Sequence, residues 1–190
     1  IRLQRLGFFS DVKIDNARVP GTTDQVDLNV AVTEQASGSI SASLGYSQNA
    51  GLVFGANVSQ SNFLGTGNRV SVGLNRSDVR NSYNLSFLDP YFTPEGISRG
   101  YNIYLRQTKL DNLNISNYAT DSLGANISFS YPIDETETIS FSAGIDQTKI
   151  NLGVNPSEAV YKFTNENGNN VMTYTGTASW GRNTLNRGTF

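Results

Sequence analysis

The sequence contains no cysteine and no histidine among its 190 residues. Without cysteine, the chain can form neither a disulfide framework nor a thiolate metal site. Without histidine, it has no Ser-His or Cys-His catalytic pair, and it lacks the commonest ligand of catalytic zinc. The two absences remove the usual hydrolytic and metal-dependent chemistries from this segment, so we expect neither an enzyme nor a bound cofactor.

Charged residues and long apolar runs are also scarce. Charged residues make up 16% of the chain, below the roughly one quarter that is usual in soluble domains, and the net charge is -2. Nucleic-acid binding needs a basic surface, so we expect no nucleic-acid partner. The mean hydropathy is -0.33, and no apolar run approaches the about 20 residues that a spanning helix needs. This composition is typical of a transmembrane β-barrel, whose strands are only half apolar.

The stretch from Gly38 to Gln48, reading GSISASLGYSQ, alternates between two kinds of side chain. Apolar residues take the even positions from 40 to 46, and serine or glycine takes the odd ones. Because alternate residues of a strand point to opposite faces, one face is apolar and the other is small and polar. No charge and no proline occurs between Glu34 and Arg69, although soluble proteins use both to protect an exposed strand edge. We predict a membrane-barrel strand with an unprotected edge.

The same alternation recurs in seven later segments, so we predict a mainly β fold with about eight antiparallel transmembrane strands. The segments are near the 9–11 residues with which a tilted strand crosses a membrane, and they are centred on residues 38–48, 52–60, 70–75, 83–87, 101–106, 123–131, 139–146 and 172–182. The inward positions are mostly serine, glycine and asparagine, which are too small to fill an eight-stranded barrel. The strands are therefore predicted to be half of a wider, water-filled barrel, with a second exposed edge near 174–182.

The connections between these segments fall into two sets. Those at 62–67, 89–98 and 132–137 are short or moderate. Those of the other set start short, at 49–51 and 78–81, and lengthen at 111–120 and 151–171. Outer-membrane barrels have short periplasmic turns and longer external loops, so the second set is predicted to be external.

Aromatic residues lie near the ends of the predicted strands. Amphipathic rings favour the headgroup level of a membrane, so we predict that these residues form an interfacial girdle: Tyr46, Tyr83, Tyr91, Phe92, Tyr101, Tyr131 and Trp180. The alternative is the aromatic core of a soluble sandwich, which the small and polar inward faces disfavour.

Residues 1–35 follow a different pattern. Ile1–Leu6 is predicted to be the end of a helix, and Gly7 closes it. Two strands, at about Val12–Val19 and Val26–Val32, flank a Pro-Gly turn. Helix, strand, turn and strand make up half of a small α+β module, too short to hold a full core. We therefore expect the chain to be a fragment, with one domain over 1–35 and a second over 36–190.

Four motifs occur in an order and at spacings that resemble the BamA family of outer-membrane protein assembly factors of Gram-negative bacteria. They are LGFFSDV from Leu6, RVPGTTDQVDL from Arg18, FLGTGN from Phe63 and DPYFTPEG from Asp89. The resemblance covers essentially the whole chain. It implies that 1–35 is the C-terminal part of a periplasmic POTRA domain and that 36–190 is the N-terminal half of an outer-membrane barrel of about sixteen strands.

The resemblance also implies a function and a site. The family, within the Bam complex, folds and inserts other β-barrel proteins, and its first barrel strand forms a lateral gate that pairs with client strands. The implied partners are outer-membrane protein clients, accessory lipoproteins and outer-membrane lipid. The implied client-pairing edge consists of Gly38, Ser39, Ile40, Ser41, Ala42, Ser43, Leu44, Gly45 and Tyr46.

Several alternatives stay open on the sequence alone. A POTRA-barrel transporter of the two-partner secretion type would move polypeptide through the lumen and would not use the edge. The serine and glycine residues of the first barrel strand could be present only because they face a water-filled lumen. An outer-membrane phospholipase is disfavoured by the absence of histidine, and a small structural barrel is disfavoured by the small inward residues.

Two polar segments are further candidate sites. Asp134, Glu135 and Glu137 could bind a cation, but their place in a predicted turn favours solvated charges. The segment from Asp89 to Phe92 could bind a partner. It is instead predicted to shape a periplasmic turn, because Pro90 cannot donate in a ladder.

Overall fold

The protein is described here by a computed structural model that covers residues 9–21, 24–109, 118–134 and 136–183. Most of the described part is antiparallel strand, and the predicted helix over Ile1–Leu6 lies outside it. The elements in chain order are β1 (Phe9–Arg18), β2 (Val26–Glu34), β3 (Gly38–Ser47), β4 (Gly51–Gln60), a 3-10 turn (Phe63–Gly65), β5 (Arg69–Arg76), β6 (Arg80–Asp89), β7 (Ser98–Lys109), β8 (Tyr118–Pro132), β9 (Glu137–Leu152), α1 (Glu158–Asn167) and β10 (Asn170–Arg182).

Strands β1 and β2 form an antiparallel hairpin, as their alternation predicts. Val12 lies opposite Val32 and Ile14 lies opposite Val30, so the apolar residues of both strands share one face. Among the described residues, Val12 is the only buried apolar side chain. The hairpin therefore holds no core of its own, and the assignment of this region to a periplasmic module remains a prediction.

Strands β3 to β10 form one eight-stranded sheet in which each strand pairs with its neighbours in sequence. Every pairing is antiparallel and runs without a register shift through the described residues. The predicted series of eight antiparallel strands is confirmed. Four of the strands are longer than the predicted 9–11 residues, since β7 has 12 residues, β8 has 15, β9 has 16 and β10 has 13.

Rows of facing residues cross all eight strands and keep their chemistry from strand to strand. One row is apolar or aromatic throughout: Ile40, Val58, Val72, Leu85, Ile103, Ala125, Ile145 and Tyr174. The adjacent row, on the opposite face, is small or polar: Ser39, Ser59, Ser71, Ser86, Asn102, Asn126, Gly144 and Thr175. We call the two sides of the sheet the apolar face and the polar face. A slip of one residue would exchange them, so the alternation fixes the register.

The belt of apolar residues crosses the sheet obliquely. In β3 the belt ends at Tyr46, six residues beyond Ile40 of the apolar row. In β8 it ends at Tyr131, six residues beyond Ala125 of the same row, but toward the opposite end of the sheet. Strands that tilt by about 35–45° across a membrane produce such an oblique belt. All seven aromatic side chains predicted for the interface are exposed, so none of them forms a sandwich core.

The connections gather at the two ends of the sheet as predicted, but one of them contains an unpredicted helix. Helix α1 lies between β9 and β10, preceded by Ser157, opened by Glu158 and closed at Gly168 with φ 80°. Serine before a helix, acid in its first turn and glycine after it are ordinary capping signals. No helix in the described part of the chain is both long enough and apolar enough to cross a membrane.

Candidate strand-pairing edge

Strand β3 lies at one edge of the eight-stranded sheet and pairs only with β4 among the described strands. All nine residues that the sequence nominates, 38–46, belong to this strand. The structure therefore places them together along one open edge. Strand β10 is the opposite edge strand, in agreement with the second edge predicted near 174–182.

The open edge of β3 presents the backbone groups of its even-numbered residues. The amide of Ser61 donates a 2.7 Å hydrogen bond to the carbonyl of Ser37, one pair before the first pair of the β3–β4 ladder. In antiparallel ladders, pairs that exchange both backbone hydrogen bonds alternate with pairs that exchange none. The odd-numbered residues therefore bond to β4. The N–H and C=O groups that face the open edge belong to Gly38, Ile40, Ala42, Leu44 and Tyr46.

The apolar side chains of β3 are more exposed than those of the interior strands. Ile40 is 83% exposed and Leu44 is 73% exposed, whereas Val72 and Leu85 in the same sheet are 50% and 47% exposed. The difference follows from position, because an interior side chain has neighbours on two strands and an edge side chain has neighbours on one. A strand added beside β3 would cover this surface.

One side-chain hydrogen bond of the described residues ties the β3 side of the edge to β4, at the residue that precedes β3. The amide Nε2 of Gln60 donates to the hydroxyl of Ser37 at 2.7 Å and to the carbonyl of Ser61 at 3.3 Å. Gln60 also lies over Gly38, where a Cβ atom would come within 2.7 Å of its Oε1. Within the described residues, no side-chain hydrogen bond is made by the serines of β3, residues 39, 41, 43 and 47. Beyond its first residues, β3 depends on its backbone ladder.

The far half of the sheet is tied together much more extensively on its polar face. Asp146 accepts 2.6 Å hydrogen bonds from the hydroxyls of Tyr104 and Thr148. Ser122 and Thr148 are joined at 2.8 Å, as are Ser130 and Ser140. Strands β7, β8 and β9 thus share a side-chain network that β3 and β4 lack. Beside β3 the polar face instead has an open groove of about 370 Å³, lined among others by Ser41, Ser43, Asn57 and Asn84.

In the acidic turn between β8 and β9, the carboxylate of Asp134 is bound by groups of the turn itself. Asp134 accepts hydrogen bonds from the amide of Thr136 at 2.6 Å, from its hydroxyl at 2.9 Å and from the amide of Glu137 at 2.8 Å. These bonds lower the pKa of Asp134, led by the Thr136 amide, and Arg182 contributes to the same direction. The described residues contain no cluster of three or more acidic side chains that could hold a metal ion. Glu135 lies outside them. The solvated-turn interpretation is favoured over the cation site.

The segment after Asp89 also forms a turn. The Asp89 carboxylate accepts a 3.2 Å hydrogen bond from the amide of Tyr91 and lies 3.6 Å from the guanidinium of Arg99. The guanidinium carbon of Arg99 lies 3.9 Å from the ring centroid of Phe92. The ion pair and the cation–π contact fold the turn against the sheet, in line with the predicted structural role.

Sequence reasoning missed the hydrogen bonds of Gln60 and the network around Asp146. A glutamine at an outward position of β4 was a visible signal, because it interrupts an otherwise apolar alternation. The link between Tyr104 and Asp146 joins residues 42 positions apart, and it becomes visible only when the register of three strands is known.

Comparison with known protein families and relatives gives consistent matches. A model of the Omp85 superfamily domain matches residues 62–190. The outer membrane protein assembly factor BamA of Neisseria meningitidis is 35% identical over 192 aligned residues, covering 96% of this chain and 24% of that protein. BamA of Buchnera aphidicola is 29% identical over 173 residues, covering 90% of this chain and 28% of that protein. The chain thus spans about a quarter of the length of these relatives.

A solved structure is also similar over the whole length of the chain. The crystal structure of BamA from Haemophilus ducreyi lacking POTRA domains 1–3 superimposes with a TM-score of 0.73 and is 30% identical, covering 100% of this chain and 38% of that one.

Proposed function

Because the chain belongs to the Omp85 superfamily, we propose that it forms part of an outer-membrane assembly factor that folds and inserts other β-barrel proteins. Residues 36–190 form the N-terminal half of its barrel, and residues 1–35 form the C-terminal part of a periplasmic POTRA domain. Strand β3 is the lateral gate, and it receives the terminal strand of a client by backbone pairing.

The observation that carries this proposal is the open edge of β3. Five residues direct their N–H and C=O groups away from β4, in a region without a single charge. In lipid, each unsatisfied backbone group costs several kcal/mol, so an edge within the membrane strongly favours a replacement strand. Pairing through the backbone gives affinity without demanding a particular client sequence.

The polar face of β3 supports acceptance of many different clients. Its serines and Gly45 offer few anchors for cross-strand side-chain pairs, which normally help to specify register. The hydrogen bond from Gln60 to Ser37 holds the residue that precedes the strand, while the strand itself depends on backbone bonds. A strand attached in this way can exchange partners without losing its place in the sheet.

The proposed partners are outer-membrane protein clients, accessory lipoproteins and the lipid that surrounds the apolar face. The assembly reaction makes and breaks hydrogen bonds only, so the proposal contains no catalytic residue. The alternative of polypeptide transport would use the lumen and would leave the edge of β3 unoccupied.

The test is disulfide capture in the full-length protein. Cysteine replaces Ser41 or Ser43, and a client has a cysteine in its C-terminal strand. These odd-numbered positions are non-hydrogen-bonded sites with respect to an added antiparallel strand, where facing side chains approach most closely. Asn84→Cys in β6 is the matched control, because it lies on the same polar face of an interior strand.

Capture at positions 41 and 43 but not at position 84 supports the gate. A folded barrel that captures no client at β3 contradicts it. Equal capture at position 84 indicates passage through the lumen and also contradicts it.

A further inference from the structure

A polar cluster interrupts the apolar face at the ends of β5, β6 and β7. The row that starts with Leu44 and Phe54 continues with Arg76 and Asn81 in the next two strands. Lys109 ends β7 on the same face. The apolar belt ends before it reaches these residues, so the cluster borders the belt at this end of the sheet. This end of the sheet also bears the turns that join β3 to β4 and β5 to β6.

These side chains line a pocket of about 400 Å³. Leu52 and Phe54 form its apolar side, and both are exposed. Arg76, Asn81 and Lys109 form its polar side. A pocket that is apolar toward the belt and cationic toward the membrane surface matches a molecule with an acyl chain and an anionic head.

The two cations of the pocket are available for a ligand. Arg76 and Lys109 are exposed, and neither makes an ion pair within the described residues. Asp78 also lines the pocket, with its carboxylate close against Gly51, so the charged residues of the lining sum to one net positive charge. The Oδ1 atom of Asn81 is buried and accepts no hydrogen bond in the described structure.

We propose that this pocket binds the phosphorylated headgroup of a membrane lipid. Arg76 and Lys109 contact the phosphate, an acyl chain lies along Leu52 and Phe54, and Asn81 accepts a hydrogen bond from a hydroxyl or ammonium group of the head. The inference rests on the membrane placement of the sheet proposed above. Basic residues at the border of an apolar belt attract anionic lipids, and their long stems reach the headgroup level.

A lipid explains the pocket better than a small soluble anion does. A free phosphate would use Arg76 and Lys109 but would leave the apolar side uncovered. Leu52 and Phe54 continue the belt formed by the apolar residues of β3 and β4, so an acyl chain there is continuous with the surrounding membrane. The bound lipid would sit beside β4, one strand away from the proposed gate.

The test measures lipid binding to the full-length protein in detergent, with native mass spectrometry as the readout. The probe is short-chain phosphatidylglycerol. Diacylglycerol with the same chains tests the need for phosphate, and inorganic phosphate tests the need for the chains. The variant is Arg76→Gln with Lys109→Gln. The matched control is Arg80→Gln with Lys162→Gln, which removes the same charge from the polar face and from helix α1.

We expect phosphatidylglycerol to bind on the order of tenfold more weakly to the pocket variant, and as tightly to the control as to the unmodified protein. Equal weakening in the two variants, or none in the pocket variant, overturns the proposal. Diacylglycerol or inorganic phosphate binding as tightly as phosphatidylglycerol also overturns it.

Client capture at Ser41→Cys, measured on the same preparations, separates this inference from the proposed function. Capture without phosphatidylglycerol binding overturns the lipid site alone. Phosphatidylglycerol binding without capture overturns the gate alone.

Discussion

The hydroxyl of Tyr104 in β7 donates a 2.6 Å hydrogen bond to Oδ2 of Asp146 in β9, across the full width of β8. The bond is possible because Gly124, which lies between them in the same row, has no side chain. A Cβ atom at that position would come within 2.3 Å of the tyrosine ring. The glycine therefore allows side chains two strands apart to meet on the polar face.

Substituting Gly124→Ala is expected to destabilise the barrel by about 1–3 kcal/mol, because the added methyl group displaces the ring of Tyr104 and breaks its bond to Asp146. The measurement is the free energy of unfolding of the full-length protein in urea. Gly181→Ala in β10 is the control, since it lies on the same face with no atom within 4 Å of the new Cβ. Equal effects of the two substitutions would contradict this role for Gly124.

Substituting Gln60→Ala is expected to loosen the beginning of β3. Removing the bonds to Ser37 and Ser61 should cost about 1 kcal/mol locally, which corresponds to roughly fivefold faster amide exchange at Ser61. Hydrogen–deuterium exchange with mass spectrometry measures this on peptides that span β3 and β4.

The control for this change is Gln107→Ala, which removes a glutamine from the apolar face of an interior strand. It should leave exchange in β3 unchanged. Unchanged exchange at Ser61 in the Gln60 variant would show that the glutamine does not hold the strand.

The turn at Asp134 is expected to weaken in acid. Its pKa is lowered in the folded protein, so its contribution to stability is present above the unfolded-state pKa and is lost as the pH falls through the folded-state pKa. Thr136→Val removes the hydroxyl donor but keeps both amide donors, so it should raise the pKa part of the way. Carboxyl NMR titration measures the shift, with Thr175→Val as a control. An identical pKa in both variants would contradict the assigned cause.

The repetitive part of the fold was predictable from the sequence because a strand with one apolar face repeats every two residues. The segments around Ile40, Val58 and Val72 all have that period, and their pairing follows because any other register would mix the two faces. The resemblance to a known family came from short motifs, and the superfamily match confirms it.

The side-chain contacts that could not be predicted join residues of different strands, which are far apart in sequence. Arg76, Asn81 and Lys109 are unremarkable as single residues, and they form a cluster only after three strands align. The bonds of Gln60 and the link between Tyr104 and Asp146 have the same origin. Helix α1 is different, because its capping residues were visible and a long loop was predicted in their place.

The backbone of β3 is the central claim, and a pair of proline substitutions tests it most directly. Proline removes a backbone N–H and is tolerated in a strand only where that group is not needed by the ladder. The N–H of Ala42 faces the open edge, whereas the N–H of Ser43 faces β4. We expect Ala42→Pro to leave a folded barrel and Ser43→Pro to disrupt the pairing of β3 with β4.

The decisive measurement is the yield of client captured by a cysteine at position 41 in the folded Ala42→Pro protein. The account predicts that the yield falls at least several-fold relative to the parent cysteine protein, because an edge donor for the incoming strand is gone. A folded Ala42→Pro barrel that captures its client as efficiently as the parent would contradict pairing through the edge of β3.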